Sequence, residues 1–541
     1  MQRKKQNFIQ GAVILMAASL IVKVIGAFFQ IPLQNLIGGK DSPASGLFSA
    51  AYRIYTAVLV ISTVGLPASL SKMVAEATAC GREHEVRRIV RVAAGIFIPV
   101  GALGSLALFF GAGIFAGWIK SPDAKLAVMA VAPSVLMVSI LAVFRGYYQG
   151  RSNMVPTAVS QVIESLGKLC VGLGLAKYAM GQGYSAAVVA AMTVLGVTLG
   201  EVAAAVYMLL RAAATRRAAV AVHALSDSVR PVGQLAKTLL SLSIPITISS
   251  AVMSLTDLID VALIASRLQS PAVGMDAVSA MNTYGVYTNM AINFFNLPQT
   301  LITALAVSVL QTIASARAAH NHDKVAKTLS TTMRMTLIIT LPAGAGFLLL
   351  SGPILRMFYS ENTVLGGQLM GILGFAVPAV ALVAVTNAVL QAFGRIDLPL
   401  VSMFCGAVVK MLGDYCLIGR PEINIAGAPV STAVCYWLIA LINLFHIGRL
   451  SHALPPVGKT LGRPLAATAG MGAATYIAHT VLLRVTAAPP GTMLDKLVTL
   501  AAIGAAVIVY AVLLLTLRAV DREDVMLLPK GEKIANILHL K

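Results

Sequence analysis

Charge is scarce in this sequence. Asp, Glu, Lys and Arg together make up 11% of the 541 residues, and hydrophobic residues make up 58%. Soluble globular chains are about 25% charged and about 45–50% apolar. The shortage excludes a soluble enzyme and a disordered tail, and the mean hydropathy of +0.84 points the same way. Long polar stretches are missing too. The longest, around 211–237, is too short to bury a core of its own, which leaves no room for a soluble catalytic domain. Cysteine is thin: Cys80, Cys170, Cys405, Cys416 and Cys435 are scattered, mostly within apolar runs, with no C-x-x-C. That spacing excludes a disulfide scaffold and suggests no metal site. There is no H-E-x-x-H, no P-loop and no pair of catalytic carboxylates in an external loop. Their absence argues against a membrane protease, an ATP-driven pump and a lipid-linked glycosyltransferase. We therefore expect no enzyme activity, no metal and no cofactor. Acids are fewer than bases, 21 against 41, for a net charge of +20.

What the sequence has instead is apolar runs, one after another. About fourteen can be read, over 8–36, 48–72, 88–117, 126–148, 155–176, 184–210, 238–265, 278–312, 328–350, 364–392, 398–418, 425–447, 462–484 and 496–517. Each is long enough to cross a hydrocarbon core of roughly 30 Å as a helix. The fold class is thus all-α integral membrane. With the N-terminus in the cytoplasm and the loops alternating, Lys and Arg favour the cytoplasmic loops about threefold. The bias predicts a multi-pass protein of the cell membrane with both termini cytoplasmic. It also accounts for the positive charge with no nucleic acid as partner. The first run follows Arg3-Lys4-Lys5 in the manner of a signal peptide. It is too long for one, contains Lys23 and has a counterpart later in the chain, so it is expected to remain as a span.

The chain repeats itself. Tyr52-x-x-Tyr55 precedes Leu66-Pro67, and Tyr284-x-x-Tyr287 precedes Leu297-Pro298. Gln149, Pro156 and Lys168 recur in order as Gln391, Pro399 and Lys410. Six spans separate the counterparts, so the repeat is parallel. The expected domains are an N-terminal lobe at 1–225, a C-terminal lobe at 226–450, and two appended helices with a short cytoplasmic tail at 451–541. Paired six-helix lobes are a transporter architecture, with substrate held between them near the midplane. Pro67 and Pro298 are candidate hinges, because an internal proline removes a helix hydrogen bond.

Charges inside spans are costly, about 2.5–3.5 kcal/mol for a central Lys or Arg, and usually face an interior. Lys72 lies near a span end and can snorkel. Lys23, Ala27, Gln30 and Gln34 share one helix face, as do Arg53, Thr56, Val60 and Thr63. Lys23, Arg53 and Gln30 could line a cavity for an anion, or the two cations could be satisfied internally. Glu164 and Lys168 are four apart, as are Lys410 and Asp414. Each pair could be an internal ion pair, yet the equivalent placement of Lys168 and Lys410 keeps a substrate role open. Asp257, Asp260 and Arg267 share a face. The two acids could hold a coupling H+ or Na+, or pair with Arg267. Asn282, Asn289, Asn293 and Asn296 form a stripe in the eighth span. Amides there could meet sugar hydroxyls or join helices.

In their order, these segments resemble the SpoVB/YtgP family. The matching residues are Ser19-Leu20-Ile21-Val22-Lys23-Val24-Ile25-Gly26, Gln30-Ile31-Pro32-Leu33, Tyr52-Arg53-Ile54-Tyr55 with Gly65-Leu66-Pro67, Leu258-Ile259-Asp260 with Arg267-Leu268-Gln269, Tyr284-Gly285-Val286-Tyr287 with Asn296-Leu297-Pro298, and Leu341-Pro342-Ala343. That family belongs to the multidrug/oligosaccharidyl-lipid/polysaccharide (MOP) exporter superfamily and is similar to the MurJ-type lipid II flippases. The resemblance implies a MATE/MurJ-like V of two six-helix lobes with alternating access. It implies flipping of an undecaprenyl-pyrophosphate-linked glycan, lipid II foremost, with bilayer lipids and cell-wall synthesis proteins as further partners. In MurJ-like proteins a functional basic residue precedes a Val-Leu-Gly-like turn in the first span. Lys23 before Val24-Ile25-Gly26 matches it as Lys rather than Arg, and Arg53 is the second-span counterpart. On this reading Lys23 and Arg53, with Lys168 and Lys410, hold the pyrophosphate, and Asn289 and Asn293 meet sugars. The alternatives are a cation-coupled MATE-like drug exporter, a flippase of another polysaccharide precursor, and a non-transporting envelope or sporulation scaffold.

Overall fold

The structure is a computed structural model that describes residues 8–39, 42–63, 65–219, 230–395, 397–451 and 458–520. Every regular element among them is helical. In chain order they are α1 (Phe8–Ile37), α2 (Ala44–Thr63), α3 (Gly65–Ala79), α4 (Glu83–Trp118), α5 (Ala124–Gly150), α6 (Val155–Leu166), α7 (Leu173–Gly181), α8 (Ala186–Ala219) and α9 (Val232–Leu268). Then come α10 (Ala277–Val286), α11 (Ile292–Ala318), α12 (His322–Phe358), α13 (Thr363–Gly374), α14 (Ala376–Ala392), α15 (Asp397–Ile418), α16 (Gly427–Ser451), α17 (Arg463–Thr486) and α18 (Met493–Thr516). π-Helical turns join α6 to α7 at Gly167–Gly172 and α10 to α11 at Tyr287–Ala291, and a third leads into α17 at Gly458–Gly462.

Among the described residues, ten helices are long and apolar enough to cross a membrane. The number is eleven if α13 and α14, bent by 46° at Phe375, make one span. The expected spans at 8–36, 238–265 and 278–312 fall on α1, α9 and α10–α11, which do not meet that criterion over their described residues.

By proximity the chain forms two compact units. One is Met1–Gln269 with Met275–Gly285, and the other is Ser270–Gly274 with Val286–Lys541. The boundary expected at 225/226, the basic residues Arg3-Lys4-Lys5 and the tail beyond 520 lie outside the described residues. α9 packs on α2, α3 and α4. At the start of α4, buried Glu85 takes Arg82 at 2.6 Å and also Arg230, just before α9. A sequence repeat records which halves are alike. It does not dictate which helices touch.

In the first unit, α8 packs along α5 and against α6, α7 and the π-turn between them. The approach to the π-turn is backbone to backbone. A Cβ on Gly196 would lie 2.2 Å from the Gly172 Cα, and one on Gly167 would lie 2.3 Å from the Gly200 Cα. Small residues let membrane helices approach this closely. Gly196→Val is therefore expected to push α8 off the turn and destabilise the protein by about 1–3 kcal/mol or more, despite valine's better helix propensity. Thermal unfolding of the purified variant checks this; an unchanged midpoint would contradict the close packing.

In the second unit, α12 contacts α11, α13, α14, α17 and α18. Asn443, fully buried in α16, accepts from Ser402 at 2.7 Å and donates to Thr386 at 3.0 Å and Asn387 at 2.8 Å. Arg356 near the end of α12 pairs with Asp495 of α18 at 2.9 Å, fixing the last helix to the unit. Pro342 and Pro353 both lie inside α12. Pro67 lies within the 36-residue apolar span Ala44–Ala79 to which α2 and α3 both belong. Pro298 is inside α11, seven residues after the π-turn.

Candidate functional site: the charged interior of the first unit

α2 carries the central residues. Arg53 Nη1 meets Asp257 Oδ2 of α9 at 2.9 Å, with the side chains 32% and 48% exposed. A pair this open is worth about 0–1 kcal/mol. Asp257 therefore neutralises Arg53 at little cost to exchange, and a stronger anion could displace it. Asp260 lies one turn further along α9, partly buried. On α1, Lys23 is exposed and Gln30 partly buried. No side-chain partner for Lys23 is found among the described residues.

Lys168 comes from the π-turn. Its Nζ lies 4.2 Å from the Tyr52 ring centroid, 4.8 Å from that of Phe29 and 6.0 Å from that of Phe48. Three ring faces around one ammonium form a cation–π cage. The i,i+4 partner that its spacing suggests goes elsewhere. Glu164 takes Arg145 Nη2 of α5 at 2.8 Å, and Arg145 Nε donates to Ser160 at 3.0 Å. Lys168 stands in the π-turn and Glu164 in the α-helix before it. Among the described residues no carboxylate pairs with Lys168, and its ammonium faces the rings.

The other expected site residues lie in the second unit. Lys410 Nζ meets Asp414 Oδ2 at 2.8 Å in regular α15, and both residues are buried. Asn289 is buried in the π-turn before α11, and its carbonyl accepts from the Tyr359 hydroxyl at 3.1 Å. Asn293 faces the same hydroxyl. Burial pushes the Tyr359 phenol well above its usual range, so it remains a donor. Asn296 is exposed. The stripe read from the sequence thus crosses the π-turn, with Asn289 buried, Asn282 and Asn293 partly buried and Asn296 open. The structure does not gather Lys410, Asn289 and Asn293 with Lys23, Arg53 and Lys168 inside one unit.

Three groups were missed. Arg145, near the end of the run at 126–148, lies within α5 and is the partner of Glu164. Tyr359 carries no charge to draw the eye. Glu201 sits inside the apolar run at 184–210, and a count of intramembrane acids as well as bases would have found it.

Helices of this length, with cations placed inside them, define a multi-pass membrane protein of transporter type. Comparison with known proteins makes this specific. The sequence model for the polysaccharide biosynthesis protein family matches residues 8–310, more than half of the chain. The chain belongs to that family, within the MOP superfamily and alongside SpoVB- and MurJ-like proteins. The MatE model matches residues 245–416. The chain is 25% identical over 460 residues to stage V sporulation protein B of Bacillus subtilis (strain 168), covering 83% of this chain and 85% of that protein. It is also 25% identical over 537 residues to the lipid II flippase MurJ of the same organism, covering 93% and 94%. Among solved structures, lipid II flippase MurJ in an inward closed conformation superposes with a TM-score of 0.69 at 14% identity, covering 93% of this chain and 98% of that one. An inward-facing MATE family multidrug transporter of the MOP superfamily gives 0.64 at 15% identity, covering 82% and 98%. The expected all-α integral membrane fold of MurJ/MATE type is therefore the observed one, with ten or eleven spans rather than fourteen counted among the described residues.

Proposed function

We propose that the protein is a flippase, with no enzyme activity, that carries an undecaprenyl-pyrophosphate-linked glycan from the cytoplasmic to the outer leaflet of the cell membrane, both of its termini being cytoplasmic. Lipid II is the substrate we favour. The observation that carries this reading is the set of cations that α1, α2 and the π-turn hold within apolar helices of the first unit: exposed Lys23, weakly paired Arg53 and ring-caged Lys168. Family membership and the printed activity of the MurJ relative support it.

The mechanism begins with exchange at Arg53. A pyrophosphate oxygen replaces the Asp257 carboxylate on the guanidinium, and a charge-assisted bond to phosphate repays the lost pair. Lys23 supplies a second positive charge as an ammonium, which binds phosphate as a point charge rather than as a fork. Asn289 and Asn293 offer amides to the sugars. The polyprenyl tail stays in the bilayer, against the apolar cavity of about 300 Å³ that Phe347 and Ile354 of α12 line together with Met471 of α17 and Val507 of α18. The two lobes alternate access, bending at Pro67 and Pro298. An inside-negative potential helps an anion move outward, by about 2.3 kcal/mol per charge per 100 mV. H+ or Na+ is the candidate coupling ion, and Asp257, Asp260, Glu164 and Asp414 are the acids named for it. Cell-wall synthesis proteins are the partners we would look for first.

One observation favours a second reading, a cation-coupled drug exporter. The ring cage of Phe29, Phe48 and Tyr52 is a site for an organic cation, occupied in this structure by Lys168. Reconstituted vesicles separate the two readings. Protein-dependent exposure of lipid II supports the flippase, and movement of a cationic dye in its place supports the exporter.

A further inference from the structure

Of the buried acids among the described residues, Glu85, Asp414 and Asp495 are paired with cations and Glu201 is not. Glu201 lies in the interior of α8 and is 1% exposed. Its Oε1 accepts from the Tyr55 hydroxyl of α2 at 2.6 Å. Its Oε2 is buried with no hydrogen-bond partner. Ser134 of α5, whose hydroxyl is shared with Thr198 at 2.9 Å, also faces the carboxyl.

From α2 come Tyr55 and Tyr52, both phenols. From α6 comes Glu164, a second acid, whose charge is met by Arg145 of α5 at 2.8 Å. Lys168 of the π-turn is held by the rings of Tyr52, Phe29 and Phe48. Tyr148 of α5 packs further along α8, against Ala204 and Ala205. Among the described residues no cation pairs with Glu201. A bare carboxylate with an unsatisfied oxygen, next to another acid in an apolar bundle, is strongly disfavoured. A carboxylic acid is not.

We propose that Glu201 is a proton-binding site of the first unit. In this arrangement Oε2 carries the proton and Oε1 remains the carbonyl oxygen that accepts from Tyr55. When water reaches the carboxyl, the O–H bond breaks heterolytically, a water molecule leaves as hydronium and the carboxylate remains; uptake is the reverse. For the transport cycle this names H+ as the coupling ion, and to that extent the inference rests on the transport reading.

The test is infrared spectroscopy of the purified full-length protein at neutral pH. We expect a protonated-carboxyl C=O band that is absent from Glu201→Gln. An ordinary glutamate, titrating near about 4.3, would show none. Tyr55→Phe removes one hydrogen bond to that carbonyl and should move the band to higher frequency without abolishing it. Alkali should remove the band reversibly. A wild-type spectrum without the band, or one that Glu201→Gln leaves intact, overturns the proposal. So does a band that no pH removes. If Glu201→Gln does not fold, the Tyr55→Phe shift decides, and an unmoved band counts against the site. The measurement needs no flipped substrate. Its failure would leave the flippase reading standing, and a failure of lipid transport would leave the band.

Discussion

Alanine at both Lys23 and Arg53 is expected to abolish substrate movement in reconstituted vesicles while leaving the fold intact. Each side chain would supply a hydrogen bond to a charged group, worth about 1.5–3 kcal/mol. Losing both weakens pyrophosphate binding by roughly a hundredfold to ten-thousandfold. Stability should barely change, because Lys23 is exposed and the Arg53–Asp257 pair is half-open. Arg53→Lys should fall between, since it keeps the charge and loses the fork. Asp257→Asn tests the exchange itself. If the carboxylate competes with phosphate for Arg53, the amide should strengthen anion binding rather than weaken it. Titration with a soluble pyrophosphate-linked headgroup measures both effects. Equal binding by wild type and the double variant would remove Lys23 and Arg53 from the site.

The second large effect concerns stability. Asp414→Ala is expected to cost about 3–5 kcal/mol, because it leaves the buried Lys410 ammonium without its carboxylate. Replacing both partners, as Lys410→Met with Asp414→Leu, should recover most of that loss, since an apolar pair of similar volume carries no desolvation penalty. Thermal unfolding of the two purified variants separates the cases. If the double variant is as unstable as Asp414→Ala, the pair does more than neutralise a buried charge. If it is stable but inactive in vesicles, Lys410 or Asp414 takes part in transport.

These two lysines also show what the sequence could and could not reveal. Lys410 and Asp414 are four apart in a regular helix, so their spacing alone puts them in contact. Lys168 and Glu164 have the same spacing, yet Lys168, in the π-turn at Gly167–Gly172, meets a ring cage and Glu164, in the helix before it, meets Arg145. Hydrophobic runs do not announce a change of winding. The glycines that permit it, Gly167 and Gly172 against Gly200 and Gly196, are visible only as contacts across forty chain positions or fewer. The helices themselves were legible because a bilayer demands long apolar stretches. Partners such as Asp257 for Arg53 were not, because nothing along the chain encodes which face of α9 meets α2. Glu201 was legible as a charge in an apolar run. Its solitude was not, since that depends on Arg145 and Lys168 being engaged elsewhere.

The most direct test of the central claim is flipping by the purified protein in liposomes loaded with lipid II. Exposure of the headgroup to an external probe is followed under an imposed potential. The account predicts protein-dependent exposure that rises when the potential favours outward movement of an anion and is lost with Lys23 and Arg53 replaced by alanine. No exposure from a folded preparation would contradict lipid II as the substrate, and movement of a cationic dye under the same conditions would contradict the flippase itself.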